Sequence, residues 1–277
     1  MKILVTGANG FIAKNFIKFA LSKKIKIIAL SRKKNCLPNK NLIWIKGKFN
    51  KINFRKYGKI DILVHFAAAG VKLNHHKEID KILDVNVYQS KEMILNAIKN
   101  NCKKFLIISS SSEFGELNAK STGVKKNDIK HPSDPYGLSK VMFNKIIFKL
   151  SKKYKCKFRI MRLFPVYGPG ENTDRLYSTI KRHAKNNKDL IIKNPFKVKD
   201  FSHIDFVVKN LFDALNFNKR KFKYYQTFHV SESNRLTVLE FCKIFWLKFK
   251  SVGKIIYRYK KKQFTNHISH KSSNWRL

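Results

Sequence analysis

The sequence predicts an α/β protein in which a doubly wound parallel sheet is followed by a smaller C-terminal α/β lobe. Over the first 164 residues, short apolar runs alternate with segments of helical periodicity, a pattern typical of a parallel sheet covered by helices on both faces. Beyond them, the prolines and glycines of "PVYGPGE" interrupt the alternation. We therefore predict a first domain over 1–164 and a lobe over 165–277, with some later segments returning to the sheet.

Each element is predicted from a local pattern. "KILVTG" at 2–7 is an apolar run ending in glycine, and "FIAKNFIKFALS" carries apolar residues at helical spacing, so a strand, a turn and a helix are expected. Further strands are expected at 25–30, 61–68, 105–112 and 157–164, and further helices from near Lys77 through "EMILNAIKN", at 136–153, near 173–187 and near 237–250. Short strands fill the rest of the lobe.

Composition restricts the class of protein. Sixty Lys+Arg against 17 Asp+Glu give a formal charge of +43, which raises nucleic acid or an anionic membrane as partners. Lysine is spread along nearly the whole chain, however, and the longest basic run is only "YKKK" at 259–262, so a general residue bias is the favoured origin of the charge. No apolar run reaches the roughly 18 residues of a membrane span, and no signal peptide is recognisable, so we expect a cytoplasmic protein.

The cysteines suggest neither a metal site nor disulfides. Four of them are scattered without CxxC spacing, at Cys36, Cys102, Cys156 and Cys242. We expect free thiols and no bound metal.

A glycine-rich turn follows the first predicted strand. "TGANGFIA" places Gly7 and Gly10 between strand and helix, with Ala13 where a third glycine often stands. Glycines let the backbone approach a pyrophosphate closely, and the helix N-terminus offers unpaired N–H groups to it. A mere tight turn is the alternative. Because the turn lies at the start of an α/β chain, between a clear strand and a clear helix, we predict dinucleotide binding.

The end of the second strand indicates which dinucleotide is bound. An acidic residue there would hold the ribose 2′-hydroxyl of NAD, but the sequence is "LSRKK". Ser31, Arg32 and Lys33 offer hydroxyl and cationic donors suited to a 2′-phosphate, so NADP(H) is favoured over NAD(H). The alternative is a solvated basic turn.

"YGLSK" sets Tyr136 four residues before Lys140. The same spacing recurs at Tyr177/Lys181 and at Tyr257/Lys261. Only the first pair follows a buried strand that ends in a serine cluster, and only it begins a helix at the carboxyl edge of the predicted sheet. A phenol with a pKa near 10 is a poor acid or base at neutral pH, and we expect the cation of Lys140 to lower the pKa of Tyr136.

The motifs "TGANGFIA", "HFAAAG", "SSSSEFG", "YGLSK", "RLFPVYGPGE" and "KDFSHID" occur in the order and approximate spacing of a known family. The chain resembles the extended short-chain dehydrogenase/reductases, in the branch of nucleotide-sugar epimerases, dehydratases and reductases. This resemblance implies a Rossmann domain that binds NAD(P), a lobe that binds a nucleoside-diphosphate sugar, and a homodimer.

The resemblance also implies roles for individual residues. Tyr136 and Lys140 match the catalytic tyrosine and lysine, and Ser110, five positions before Gly115, matches the catalytic Ser/Thr. The residues expected to bind the cofactor are Gly7, Gly10, Phe11, Ile12, Ser31, Arg32, Ala67, Ala68, Tyr136 and Lys140, and those expected to bind substrate are Ser111, Glu113 and Lys199. A polar strand end is the alternative for Ser109 to Ser112.

Other positions are expected to be structural or depart from the family pattern. His65 and His203 are expected to brace loops, and Asn86 either orders the site or is an ordinary polar helix position. Three residues depart from the pattern: Pro165 follows "RLF" in place of asparagine, Lys48 stands where an aspartate often contacts adenine, and Phe206 replaces a second aspartate after "HID".

The residues directly after Ser110 indicate the reaction. Dehydratases of this branch carry an acidic pair there, whereas this chain has Ser111 and Ser112. "SSSEFG" instead resembles a motif of 4-keto-6-deoxy sugar reductases, so an NADPH-dependent reductase is the leading hypothesis and an epimerase with the same three residues is the second. A hypothesis of another class is a nucleic-acid-binding protein built on a dehydrogenase fold.

Overall fold

The computed structural model describes residues 1–33, 38–71, 78–116, 123–218, 224–257, 268–269 and 275. Its strands are β1 (Lys2–Thr6), β2 (Lys26–Ser31), β3 (Leu42–Lys46), β4 (Ile62–His65), β5 (Lys104–Ser110), β6 (Lys157–Leu163), β7 (Val166–Tyr167), β8 (Leu190–Ile192), β9 (Val198–Asp200), β10 (Ser202–His203), β11 (Tyr225–Val230), β12 (Arg235–Thr237) and β13 (Ile255–Tyr257). Its α-helices are α1 (Phe11–Ser22), α2 (Ile79–Leu83), α3 (Ser90–Lys99), α4 (Pro135–Lys153), α5 (Leu176–Lys185), α6 (Ile204–Asp213) and α7 (Val238–Lys248).

Seven parallel strands form the central sheet, in the order β11-β6-β5-β4-β1-β2-β3. Strand order reverses direction at β1, which lies between β2 and β4, so the sheet is doubly wound. Ligands in such sheets bind outside the carboxyl ends of the strands at this reversal. The predicted fold class is therefore confirmed, and the fold directs attention to the ends of β1, β4 and β5.

Alternating residues of the strands supply two cores, one on each face of the sheet. Ile3 and Val5 of β1 pack with α1 and α6, whereas Leu4 packs on the opposite face with α3 and α4. This burial on both faces explains why the central strands read as continuous apolar runs. The same packing holds α1 and α4 against the sheet, close to the ends of β1 and β5 that precede them in the chain.

The structure contains two elements that the sequence pattern did not indicate. β3 is an edge strand whose Ile43 is 54% exposed, and its apolar run, Leu42 to Ile45, is only four residues long. α6 begins directly after His203, which caps its N-terminus, and buries Val207 and Leu211 against α1. The expected start of a helix at Lys77 lies outside the described residues. From Ile79 the chain is helical through a π-helical segment, Asp84–Gln89, into α3.

The C-terminal part contributes both to the sheet and to a separate lobe. α6 and β11 join the sheet layers, while α5, α7 and the strand pairs β8–β13 and β9–β12 surround a third core rich in aromatic residues. Within the described ranges, no helix is both long and apolar enough to cross a membrane, and no cluster of potential metal ligands is found. Cys102, Cys156 and Cys242 are buried free thiols, and Cys36 lies outside the described residues.

Candidate active site

The glycine turn lies at the carboxyl end of β1 and packs tightly against the loop after β4. Gly7 has φ +67°, and a Cβ placed on it would lie 2.6 Å from the backbone nitrogen of Ala67. Gly10 donates its N–H to the carbonyl of Gly7 at 2.8 Å, closing the turn. Only glycine fits position 7, because any side chain would both strain the backbone and collide with Ala67. Ala68 follows in the same loop and is partly buried.

This turn leads directly into the N-terminus of α1. Gly10 is the N-cap residue, no side chain in the described part of the chain caps the helix, and its first turn has no acidic residue. Phe11 and Ile12 therefore present uncapped backbone N–H groups beside a turn in which Gly7 and Gly10 lack side chains. The residues fit the pyrophosphate of a dinucleotide, which such an N-terminus attracts through its dipole and N–H groups.

The end of β2 carries no carboxylate, but it differs in detail from the prediction. Ser31 is 8% exposed, its hydroxyl donates to the carbonyl oxygen of Lys33, and it accepts from Asn9 Nδ2 at 2.8 Å. Because a hydroxyl has a single proton, Ser31 in this arrangement has none to donate to a 2′-phosphate. Arg32 and Lys33 are both exposed, so both cationic side chains are available there.

Ser110 and Tyr136 meet at the carboxyl edge of the sheet. Ser110 is the last residue of β5, and Tyr136 lies in the first turn of α4, which Asp134 caps through a 2.6 Å hydrogen bond from the N–H of Gly137. The side chains of Ser110 and Tyr136 are hydrogen-bonded to each other. The cap therefore fixes the start of α4 where the phenol reaches the strand end.

Lys140 lies one helical turn after the tyrosine. Its Nζ is 5.5 Å from the ring centroid of Tyr136 and donates to the carbonyl oxygen of Ile108 at 3.1 Å. The side chain is almost fully buried, and this burial lowers the pKa of Lys140 to about 8. The structure thus brings Ser110, Tyr136 and Lys140 together.

The pKa of Tyr136 moves in the opposite direction to the expectation. Tyr136 is half-buried, and the partial loss of water around its phenol raises the pKa of Tyr136 to about 12. This outweighs the nearby charge of Arg175 and the hydrogen bond with Ser110, both of which lower the pKa. The expected lowering by Lys140 is not found. At neutral pH the phenol is therefore held in its protonated form, as a hydrogen-bond and proton donor.

Glu113 is a buried structural carboxylate. It is 1% exposed, and its oxygens accept from Ser109 Oγ at 2.5 Å, Asn144 Nδ2 at 2.7 Å and Arg162 Nε at 2.8 Å. These contacts use both carboxylate oxygens and tie the end of β5 to α4 and β6. The expectation that Glu113 binds substrate is corrected accordingly: it supports the strand end that carries Ser110. Ser111 is likewise buried, at 7% exposure.

Asn86 orders the site through the loop after β4. Its side chain accepts from the N–H of Ala69 at 2.7 Å and donates to the carbonyl of Ala69 at 3.0 Å and to Ser139 Oγ at 2.9 Å. Ser139 in turn donates to the carbonyl oxygen of Tyr136 at 2.7 Å. Asn86 therefore joins the glycine-turn side of the cleft to the helix that carries the tyrosine.

His65 acts as a brace between neighbouring elements. Its two ring nitrogens are 2.7 Å from Thr6 Oγ1 and 3.0 Å from Ser90 Oγ. Burial lowers the pKa of His65 to about 3, so the ring is neutral at physiological pH. This agrees with the expectation that it braces a loop.

Lys199 lies on β9 in the lobe, beside further cations. Burial, followed by the charges of Lys197 and Arg175, lowers the pKa of Lys199 to about 8. Arg175, the N-cap residue of α5, donates to the carbonyl oxygen of Val71 at 2.9 Å and so reaches across to the sheet domain. The sequence patterns gave no signal for Arg175, because it lies outside every motif and one arginine among 60 basic residues is inconspicuous.

Comparison with known proteins identifies relatives. The sequence model of the NAD dependent epimerase/dehydratase family matches residues 3–226. A Bacillus subtilis protein named uncharacterized UDP-glucose epimerase YtcB is 27% identical over 228 residues, which cover 76% of this chain and 71% of that protein. The dTDP-4-dehydro-6-deoxyglucose reductase of Escherichia coli is 28% identical over 185 residues, which cover 62% of this chain and 58% of the reductase.

Solved structures agree in fold. UDP-glucuronic acid 4-epimerase from Bacillus cereus, in complex with UDP-glucuronic acid and NAD, superimposes with a TM-score of 0.85 at 21% identity, and the match covers 98% of this chain and 91% of that chain. The family match spans most of the chain. The family and the Rossmann-like architecture predicted from the six motifs are therefore confirmed.

Proposed function

We propose a specific reaction from the premise that this chain belongs to the NAD dependent epimerase/dehydratase family. The reaction is the NADPH-dependent reduction of the keto group of a 4-keto-6-deoxy nucleoside-diphosphate sugar. The observation that carries the proposal is the hydrogen-bonded pair of Ser110 and Tyr136 at the carboxyl edge of the sheet, with Lys140 one helical turn away.

The protonation state of Tyr136 supports reduction. A keto oxygen that becomes an alcohol must gain a proton, and a phenol whose pKa is raised to about 12 carries that proton at neutral pH. Ser110, hydrogen-bonded to the phenol, would donate to the same oxygen and stabilise its developing negative charge. Lys140 would orient the ribose next to the reacting ring. A bound nicotinamide dinucleotide supplies the hydride for this chemistry.

The lobe supplies positive charge for the diphosphate of the substrate. Arg175 lies close enough to both Lys199 and Tyr136 to lower the pKa of each. A diphosphate placed between them would relieve the repulsion of the two cations. The names of the curated relatives, which refer to UDP- and dTDP-sugars, support a nucleoside-diphosphate sugar as substrate.

The proposed preference for NADPH rests on the end of β2. No carboxylate stands there, and Arg32 projects from the position next to it. A guanidinium favours a 2′-phosphate over a 2′-hydroxyl. The Bacillus cereus structure, by contrast, is described with NAD, so the preference is a property that we propose for this chain's own residues.

An epimerase is the second candidate, because the B. subtilis relative and the superimposed B. cereus enzyme are both named as epimerases. Such an enzyme would use the same three residues, with Tyr136 first accepting a proton and then returning it. A 4,6-dehydratase is disfavoured, because serines, at Ser111 and Ser112, follow Ser110 where an acidic pair is expected.

The experiment is to incubate the protein with NADPH and a panel of 4-keto-6-deoxy nucleotide sugars, and to follow both absorbance at the nicotinamide band and product formation. Formation of a reduced deoxysugar nucleotide with loss of NADPH supports the proposal. Conversion of a nucleotide sugar without a keto group to its epimer, together with no reduction of the keto sugars, would identify the enzyme as an epimerase instead of a reductase.

A further inference from the structure

Three side chains from three elements converge on the carbonyl oxygen of Lys33. Asn9 Nδ2 donates to it at 2.7 Å, Trp44 Nε1 donates at 3.3 Å, and the hydroxyl of Ser31 donates as well. Asn9 belongs to the glycine turn after β1, Ser31 ends β2, and Trp44 lies on β3. We call these four residues the Lys33 clamp.

Each N–H or O–H donor of the clamp serves a single acceptor. The amide of Asn9 has two N–H donors, and they serve Lys33 O and Ser31 Oγ, the latter at 2.8 Å. The hydroxyl of Ser31 uses its single proton to donate a hydrogen bond to Lys33 O. The backbone beside the clamp is fixed too, since the N–H of Ala8 donates to Leu30 O at 3.2 Å and that of Gly47 to Ser31 O at 2.9 Å.

The clamp holds the residue between Ser31 and Lys33, which is Arg32. Both peptide neighbours of Arg32 are bound to the clamp, so its Cα has a fixed position although its side chain is exposed. A long cationic side chain loses less entropy on binding an anion when its backbone is already ordered. The clamp thereby connects the glycine turn to Arg32, which we propose binds the 2′-phosphate.

We infer that Asn9 and Trp44 are positioning residues for cofactor selection: through the carbonyl of Lys33 they hold Arg32 where it meets the 2′-phosphate of NADPH. The inference rests on the proposed NADPH dependence. Asn9 lies between Gly7 and Gly10 in the glycine turn, where a contact to the shared pyrophosphate would affect NADPH and NADH alike. Its contacts to Ser31 and Lys33 predict that it acts on the ratio of the two affinities.

The test measures the dissociation constants of NADPH and NADH by calorimetry, so it does not depend on turnover. Asn9→Ala loses the hydrogen bonds to Lys33 O and Ser31 Oγ, and Trp44→Phe keeps the ring but loses the N–H. In each variant we expect the NADPH-over-NADH preference to fall by about three- to tenfold, the order of magnitude of a hydrogen bond's contribution. Arg32→Ala should lower the preference by at least about tenfold, because it removes a charge-assisted bond. Trp246→Phe is the matched control, since Trp246 Nε1 also donates to a backbone carbonyl, that of Gly253, at 2.8 Å in the lobe.

A double-mutant cycle separates positioning from a direct contact. If Asn9 acts through Arg32, Asn9→Ala should leave the preference unchanged in the Arg32→Ala background. An unchanged preference in both single variants overturns the inference, and so does an undiminished effect of Asn9→Ala in the absence of Arg32. If Arg32→Ala alone reduces the preference, only the inference fails. A wild-type protein that prefers NADH would remove the proposed cofactor and the inference together. Thermal unfolding of each variant shows that it is folded.

Discussion

The first turn of α4 packs against the turn that follows β5, and there Gly137 lies directly against Ser112. A Cβ on Gly137 would lie 2.3 Å from the carbonyl oxygen of Ser112, well inside van der Waals contact. The absent side chain lets the helix approach until Tyr136 reaches Ser110. We expect Gly137→Ala to lower stability by about 1–3 kcal/mol through overpacking, and to lower kcat/KM by about 10²-fold because the phenol moves away from its partner.

The control for this substitution is Gly47→Ala, whose new Cβ would meet only a side-chain atom of Leu30 at 3.9 Å. Urea denaturation and steady-state kinetics on both variants measure the effects. If Gly137→Ala kept full activity, close approach of the helix would not be needed to place Tyr136.

Tyr136→Phe removes only the phenolic oxygen. Turnover should fall by about 10²- to 10⁴-fold, the usual contribution of a general acid, while the dissociation constant of NADPH should change little. Tyr257→Phe, in a second tyrosine–lysine spacing, is the control: Tyr257 is 41% exposed in the lobe. A Tyr136→Phe protein that retains most of its rate would exclude the tyrosine as the proton donor.

The sequence predicted residues whose role depends on local spacing. Tyr136 and Lys140 lie one helical turn apart whatever surrounds them, and Gly7 and Gly10 form their turn within a few residues. Ser31 was assigned to a ligand from its place at the end of the second strand, and Glu113 from the family resemblance. Their hydrogen-bond partners, Lys33 O for the serine and Arg162 and Asn144 for the glutamate, are set by tertiary contacts that no spacing reveals. Local patterns therefore identify the polar and ionisable side chains of the site. They do not reveal which of these side chains already form hydrogen bonds within the fold.

Glu113→Gln tests the buried ion pair with Arg162. The side chains are 1% and 4% exposed, so loss of the carboxylate charge leaves a buried guanidinium without its counter-ion. Breaking such a pair typically costs about 3–5 kcal/mol of the free energy of unfolding. Glu78→Gln, in the solvent-exposed pair with Lys81, should cost less than about 1 kcal/mol. Chemical denaturation of the two variants gives the comparison, and equal costs would mean that water screens the Glu113 pair as well.

Lys140 makes stability depend on pH at alkaline values. Its pKa is lowered to about 8 by burial, whereas the ordinary value of 10.5 applies to the unfolded chain. Between these values the unfolded state binds more protons than the folded state, so the free energy of unfolding rises with pH from about 8 to 10.5, by as much as about 3 kcal/mol. Below pH 8 both states are protonated, and this contribution is constant.

Comparison with Lys140→Met isolates that slope from the titration of the other lysines. The difference in unfolding free energy between the wild type and the variant should rise across this window and stay level below it. A difference independent of pH from 7 to 10.5 would show that the folded-state pKa of Lys140 is not lowered.

Cofactor consumption distinguishes a reductase from an epimerase. An epimerase removes a hydride and returns it, so it needs no external reductant and gains from retaining its dinucleotide. A reductase must exchange its cofactor at every turnover. The protonated phenol of Tyr136 and the exposed Arg32 both favour the second behaviour. We therefore expect one mole of NADPH to be oxidised for each mole of sugar nucleotide converted.

The measurement supplies a keto-sugar nucleotide with excess NADPH, and compares the loss of cofactor absorbance with product determined by chromatography. Tyr136→Phe serves as the blank for slow non-enzymatic oxidation. Pro165 stands in the loop after β6, where the family pattern has asparagine. The ratio of NADPH oxidised to product formed therefore tests whether this chain completes a net reduction. Because a hydride that is returned leaves no trace in the cofactor balance, product formed without net loss of NADPH would identify the enzyme as an epimerase.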